Sequence, residues 1–216
     1  MENSTDQNTE LKKGKKEIKQ RRNYSVLIVV ILVTSLLIVS LNHKNKELPQ
    51  QILPSLPQPI AKEMILITSA GQSTDTYIVK DIANTLKIHN YFMPKATSED
   101  LEEINTIVFV VGYSQINEKL YSLDFEQEFQ RIENLIDEAK RLNMSMITVF
   151  IGGEYRKDEQ SIALLEKTSA VSDYIITTDN GADNLTVYSI AKQNQIPLTI
   201  VESLGDLSEP FASAFR

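Results

Sequence analysis

The stretch MILITSAGQSTD, Met64–Asp75, decides how this chain is read. Its first half is a short apolar run rich in β-branched residues, the pattern of a strand buried on both faces. Its second half sets hydroxyls, an amide and a glycine ahead of an amphipathic segment, 74–87, in which Ile78, Ile82, Ala83 and Leu86 share one face. A strand, a polar turn carrying glycine and a helix together make the opening of a βα unit.

The same alternation continues downstream. Apolar runs stand at 106–112 (TIVFVVG), 145–151 (SMITVFI), 174–178 (YIITT) and 197–201 (PLTIV), with a weaker one at 89–93 (HNYFM). Helical spacing fills the gaps. Phe125, Phe129, Ile132, Ile136, Ala139 and Leu142 recur at three- and four-residue steps in 124–142, behind a capping-box pair, Asp124 and Gln127. Segments 158–170 (Ile162, Leu165, Ser169) and 183–194 (Val187, Ile190, Ala191) follow the same pattern. Glu209-Pro210 opens a short closing helix through Phe211 and Phe215. The pattern predicts an α/β domain over 62–216: a doubly wound, mostly parallel sheet between helical layers, flavodoxin-like or Rossmann-like.

Upstream, the composition changes. Residues 26–41, VLIVVILVTSLLIVSL, carry no charge, and Tyr24 and Ser25 lengthen the uncharged stretch. At about 1.5 Å per residue it falls slightly short of a hydrocarbon core of about 30 Å, a gap that snorkelling by Arg22 and Lys44 closes. Seven Lys/Arg stand against four Asp/Glu in residues 1–22, whereas His43, Lys44 and Lys46 alone follow the apolar run closely. The positive-inside rule then predicts a cytoplasmic tail (1–23), a signal anchor crossing the cell membrane (24–42) and an extracytoplasmic C-terminal domain. A cleaved signal peptide is the rival, but IVSLNHK offers no small-x-small cleavage site. Four of the seven prolines (Pro49, Pro54, Pro57 and Pro59) fall in 43–61, which reads as a non-helical spacer.

Composition excludes several chemistries. From residue 62 on, 24 acidic residues outnumber 13 basic ones, so a phosphate backbone is repelled and nucleic acid is not the expected partner. There is no cysteine, which removes disulfides and thiolate chemistry, and two histidines cannot build a multi-histidine metal site, so no metal is expected.

A candidate site follows from the fold class. Gly71, Gly112, Gly152, Gly153 and Gly181 each follow a predicted strand, and in a parallel sheet those strand ends share the edge where such sheets bind ligands. Glycines there also serve ordinary turns. The first loop supplies Ser69, Gly71, Gln72, Ser73 and Thr74, hydroxyls and backbone N–H groups at a helix start that suit an anion. Ser73 or Thr74 could equally cap the helix, and Asp75 could complement its dipole. The loop matches neither GxGxxG nor GxxxxGK[ST]. Tyr113 follows Gly112, and Glu154 and Arg156 follow Gly152-Gly153. Asp75 with Glu154 is a candidate acid/base pair, or two solvated charges.

Two resemblances rest on these residues. ILITSAGQSTD, the GGE at 152–154 and the terminal EPFASAF together resemble a family of small bacterial secreted or anchored proteins known as a domain of unknown function, over roughly 62–216. That resemblance implies an α/β fold and no chemistry. TSAGQSTDTYIVKDIA is similar to the flavodoxin phosphate loop, which implies FMN phosphate at Ser69, Gln72, Ser73 and Thr74 and a stacking ring at Tyr113 or Tyr155. Ala70 and Gln72 depart from the usual Thr and Asn there, and no tryptophan is present to stack.

The expectations are therefore ranked. A module binding a small polar or anionic ligand, or an envelope partner protein, at the strand-end edge comes first. An envelope hydrolase or transferase using Asp75 and Glu154, an FMN protein and a purely structural domain follow. The residues name no cofactor.

Overall fold

The computed structural model describes residues 52–121, 123–152, 158–179 and 184–216. The expected tail and expected anchor segment and the start of the proline-rich stretch lie outside the described residues, as do Gly153, Glu154, Tyr155, Arg156 and Gly181. Among the described residues no helix is long and apolar enough to cross a membrane.

Six strands, β1 (Ile65–Ala70), β2 (Asn90–Phe92), β3 (Thr106–Val111), β4 (Ser145–Phe150), β5 (Tyr174–Thr178) and β6 (Leu198–Val201), form one sheet in the order β2-β1-β3-β4-β5-β6. Every neighbouring pair is parallel. The order reverses once, between β1 and β3. The helices are α1 (Thr76–Thr85), α2 (Gln115–Tyr121), α3 (Phe125–Arg141), α4 (Glu159–Ser169), α5 (Asn184–Asn194) and α6 (Ser208–Ser213).

The period of two along each strand divides the interior into two cores. Leu66 and Ala70 of β1 and Ile107, Phe109 and Val111 of β3 pack with Ile132, Leu135 and Ile136 of α3, Leu164 and Leu165 of α4, and Val187 and Ala191 of α5. Ile65, Ile67, Val108 and Val110 pack with Val79 and Ala83 of α1 and Phe211 of α6. Covering both faces is what requires near-continuous apolar strands, so the β-branched runs and the layers have one cause.

The last part of the proline-rich stretch is not free chain. Leu56 and Ala61 are buried in the α1/α6 core. Ile60 and Ala61 donate backbone N–H bonds to Ala214 O, Leu56 N donates to Ser213 Oγ, and Ile52 pairs with Leu198 beside β6. No helix forms over 52–61, and the apolar residues between the prolines find a core to enter.

The edge where strands begin is closed by a repeated device. After α1, α3 and α5 the chain turns through left-handed residues Lys87, Asn143 and Gln195, with φ of 57°, 54° and 57°. Ile88 N then bonds Ala83 O, Met144 N bonds Ala139 O, and Ile196 N bonds Ala191 O, each at 2.9 Å. These are Schellman endings, and each drops a buried apolar residue (Ile88, Met144, Ile196) beneath the helix it closes.

Candidate functional site

At the opposite edge, β1 and β3 lead into loops that touch. Gly71 N is followed by a backbone bend with φ +104°, and a Cβ there would lie 2.6 Å from Gly112 O and 2.8 Å from Tyr113 Cα. Only glycine allows that approach. Gly112 N donates to Ala70 O and Ser114 N to Gly71 O, both at 2.9 Å, and Gln72 bridges Tyr113 in antiparallel sense. Gln72 itself is left-handed, φ +63°. Its carbonyl accepts a 2.7 Å bond from Asn117 Nδ2 at the start of α2.

A buried ion pair braces this loop from the α3 side. Glu128 is 1% exposed. Its Oε1 accepts from Gly71 N at 2.8 Å and from Arg131 Nη2 at 2.6 Å. Its Oε2 accepts from Arg131 Nε at 2.9 Å and, at a long 3.4 Å, from Gln72 Nε2. Arg131 also donates to Ser69 O (2.5 Å), Ala96 O (2.7 Å) and Thr68 Oγ1 (3.4 Å). A guanidinium has five N–H donors, and these bonds use all five. Arg131 is thus a structural tie between the end of β1 and the chain after β2, with no donor left for a ligand.

The two segments that Arg131 ties together border a cavity of about 500 Å³. Gln72, Ser73, Thr74 and Asn117 contribute its polar lining, Tyr77, Met93, Pro94 and Ala96 its apolar lining, and Lys95 a cation. Among the described residues no carboxylate and no histidine lines it. A second cavity, also about 500 Å³, lies between Thr97-Ser98 and Glu126, Gln127, Gln130, Arg131 and Asn134. Its polar groups are largely bonded to protein: Thr97 with Asp100, Asp124 with Gln127, and Gln130 with Asn134.

Of the residues expected at the site, Gln72, Ser73 and Thr74 line the first cavity. Ser69 does not line it and is fully buried, its Oγ without a hydrogen-bond partner. Gly71 and Gly112 form the loop crossing described above. Tyr113 does not line the cavity: its ring meets Phe125 edge-on at 5.6 Å, its N–H donates to Ser161 Oγ at 2.9 Å, and its phenol donates to Glu118. Burial first, and then that bond to Glu118, push the Tyr113 phenol pKa well above the ordinary tyrosine value. Asp75 opens α1 with its N–H on Ser73 Oγ at 3.0 Å and does not line the cavity either. Gly152 follows β4 with φ +70°, and Thr178 at the end of β5 donates its hydroxyl to Ile151 O. Gly153 and Glu154 lie outside the described residues, and with Glu154 the expected pairing of Asp75 with it. Among the described residues no group of three or more His, Asp or Glu side chains is arranged to hold a metal.

Tyr77, Met93, Pro94, Lys95, Ala96, Asn117, Glu128 and Arg131 escaped the sequence reading. One of them had a signal. Glu128 sits three residues after Phe125 and four before Ile132, on the apolar stripe of α3, where an acid has to be buried and therefore paired.

No curated protein and no solved structure matches the chain. Residues 62–215 match one protein family, and with that match covering most of its length the chain belongs to the family described as domain of unknown function DUF6305.

Proposed function

We propose that this domain is a binding module that takes a small polar, anionic ligand into the cavity at the C-terminal ends of β1 and β2. The observation that carries the reading is the lining itself. A cavity of about 500 Å³ falls in the size range of small-molecule sites, roughly 300–1,000 Å³. It lies beside the point where the strand order reverses, the usual ligand position in open α/β sheets. Lys95 brings a cation to its lining, and Ser73 and Thr74 stand at the start of α1, whose dipole favours an anion.

Thermal melting of the full-length chain against carboxylates, phosphates, sugar phosphates, nucleotides and FMN tests this. An anion at about 100 times its dissociation constant stabilises the fold by about 2.7 kcal/mol. That shift shrinks in Lys95→Ala and Ser73→Ala if the anion sits in this cavity. A well-folded domain whose melt no anion moves contradicts the reading. The hydrolase reading lacks comparable support, because Asp75 is not on the cavity. The flavin reading lacks a stacking ring in Tyr113, whose phenol is engaged by Glu118.

The location belongs to the same proposal: residues 24–42 anchor the chain in the cell membrane and the domain stands outside. The uncharged run 26–41 and the basic residues before it support this. Protease treatment of intact cells carrying a C-terminal epitope tests it, since loss of the epitope is expected and full protection contradicts it.

A further inference from the structure

Tyr77 stands in the first turn of α1, on the side away from the core. Val79, two positions on and about 200° around the helix, is buried with Ala83 against the strands. Tyr77 is 53% exposed, and Met93, the residue after β2, is 38% exposed. Both are large and apolar, and both line the cavity with Pro94 and Ala96. Exposed apolar surface gathered on the wall of a cavity, not scattered singly, marks a surface that a ligand covers.

The Tyr77 ring is nevertheless held in place. It packs on Phe92 with ring centroids 4.9 Å apart and planes at 59°. Lys80 Nζ lies 6.0 Å from the Tyr77 centroid and 5.3 Å from that of Phe92. Neither Phe92 nor Lys80 lines the cavity. The ring is thus fixed by neighbours outside the cavity, while the residue itself forms part of the wall. An aromatic side chain fixed in advance loses little freedom when a ligand packs on it.

We infer that Tyr77 is a stacking platform and that the ligand of this cavity carries a planar aromatic ring which packs on it. This rests on the cavity being a ligand site and narrows the class to small anions built on such a ring. The Met93 thioether and Pro94 extend the wall beside it.

Titration calorimetry of the full-length chain with matched pairs tests the inference: benzoate against cyclohexanecarboxylate, and phenyl phosphate against cyclohexyl phosphate. Within each pair the head group is the same, and a puckered ring replaces the planar one. The aromatic member is expected to bind about fivefold more tightly, the usual worth of an aromatic pair beyond its buried area. Tyr77→Phe is expected to keep that ratio, and Tyr77→Leu to bring it within about twofold. A preference confined to one pair upholds the inference and names the head group. Equal affinities within both pairs for the native chain overturn it and leave the ligand site standing. So does a preference that Tyr77→Leu keeps. If none of the four compounds binds, the melting panel decides. A shift from nucleotides or FMN that shrinks in Tyr77→Leu upholds the inference; a shift which that variant keeps, or one from ring-less anions alone, overturns it. Silence from every probe removes the ligand site itself, and the inference with it.

Discussion

The two edges of the sheet are built on different principles. At the edge where strands begin, left-handed residues recur at Met64, Lys87, Glu103, Asn143 and Gln195. Three of these close helices through matching hydrogen bonds and bury the next apolar residue, so the backbone strain is offset locally by satisfied groups and packing. At the edge where strands end, Gln72 is the one left-handed non-glycine among the described residues. It closes no helix, its amide oxygen is unmet, and Ser69 Oγ at the end of β1 is unmet too. At Gln72 the backbone is held by Asn117 and Tyr113 while the side-chain oxygen stays unmet next to a cavity, a contrast that the proposed binding role of this edge would account for.

The largest effect expected from breaking this contrast comes from the brace. Arg131→Met leaves Glu128 buried without its cation and is predicted to lower stability by about 3–5 kcal/mol in urea unfolding. Adding Glu128→Leu should recover much of that loss, because no uncompensated charge remains. A cost near zero for Arg131→Met would show that the strand-end edge does not depend on the pair. Gly71→Ala comes next, at roughly 2–3 kcal/mol, since its Cβ meets backbone of Gly112 and Tyr113 that has no room to yield. The opposite edge should respond with the opposite sign. Asn143→Gly and Lys87→Gly relieve a left-handed residue and should each stabilise by up to about 1 kcal/mol with ligand affinity unchanged. If either altered binding, the division of labour between the edges would fail.

A smaller effect concerns pH. Tyr113 and Tyr174 both have pKa values raised above the ordinary tyrosine value, in each case first by burial. The unfolded chain therefore loses these protons at lower pH than the folded one. Their stabilisation is complete below about pH 10 and is lost as pH rises through the raised folded values. Glu118, and more weakly Asp158 and Asp124, add to the shift at Tyr113. Tyr113→Phe should flatten the alkaline fall in melting temperature relative to the native chain, and an unchanged profile would deny Tyr113 its part in it.

The sheet was legible because strands buried on both faces leave an unbroken β-branched signature, and α1, α3, α4 and α5 carry stripes that must pack. β2 was faint because a three-residue edge strand carries little of that signature. α2 was missed for a clear reason: Ile116 and Leu120 on it are exposed, so it has no apolar stripe to read. The linker was read from its prolines, and Leu56 and Ala61 between them, which enter the core, were given too little weight. The cavity was half legible. Gln72, Ser73 and Thr74 adjoin a strong strand, whereas Met93, Pro94 and Lys95 reach the site through β2 lying beside β1, a pairing across sequence that no local pattern contains.

The most direct test of the central claim is hydrogen–deuterium exchange of the full-length chain with and without the anion that shifts its melt most. The account predicts slower exchange in 70–78 and 93–97, around the cavity, and little change in 86–89, 142–145 and 194–197 at the opposite edge. Protection centred on those helix endings, with none in the loop that carries Gln72, would contradict it.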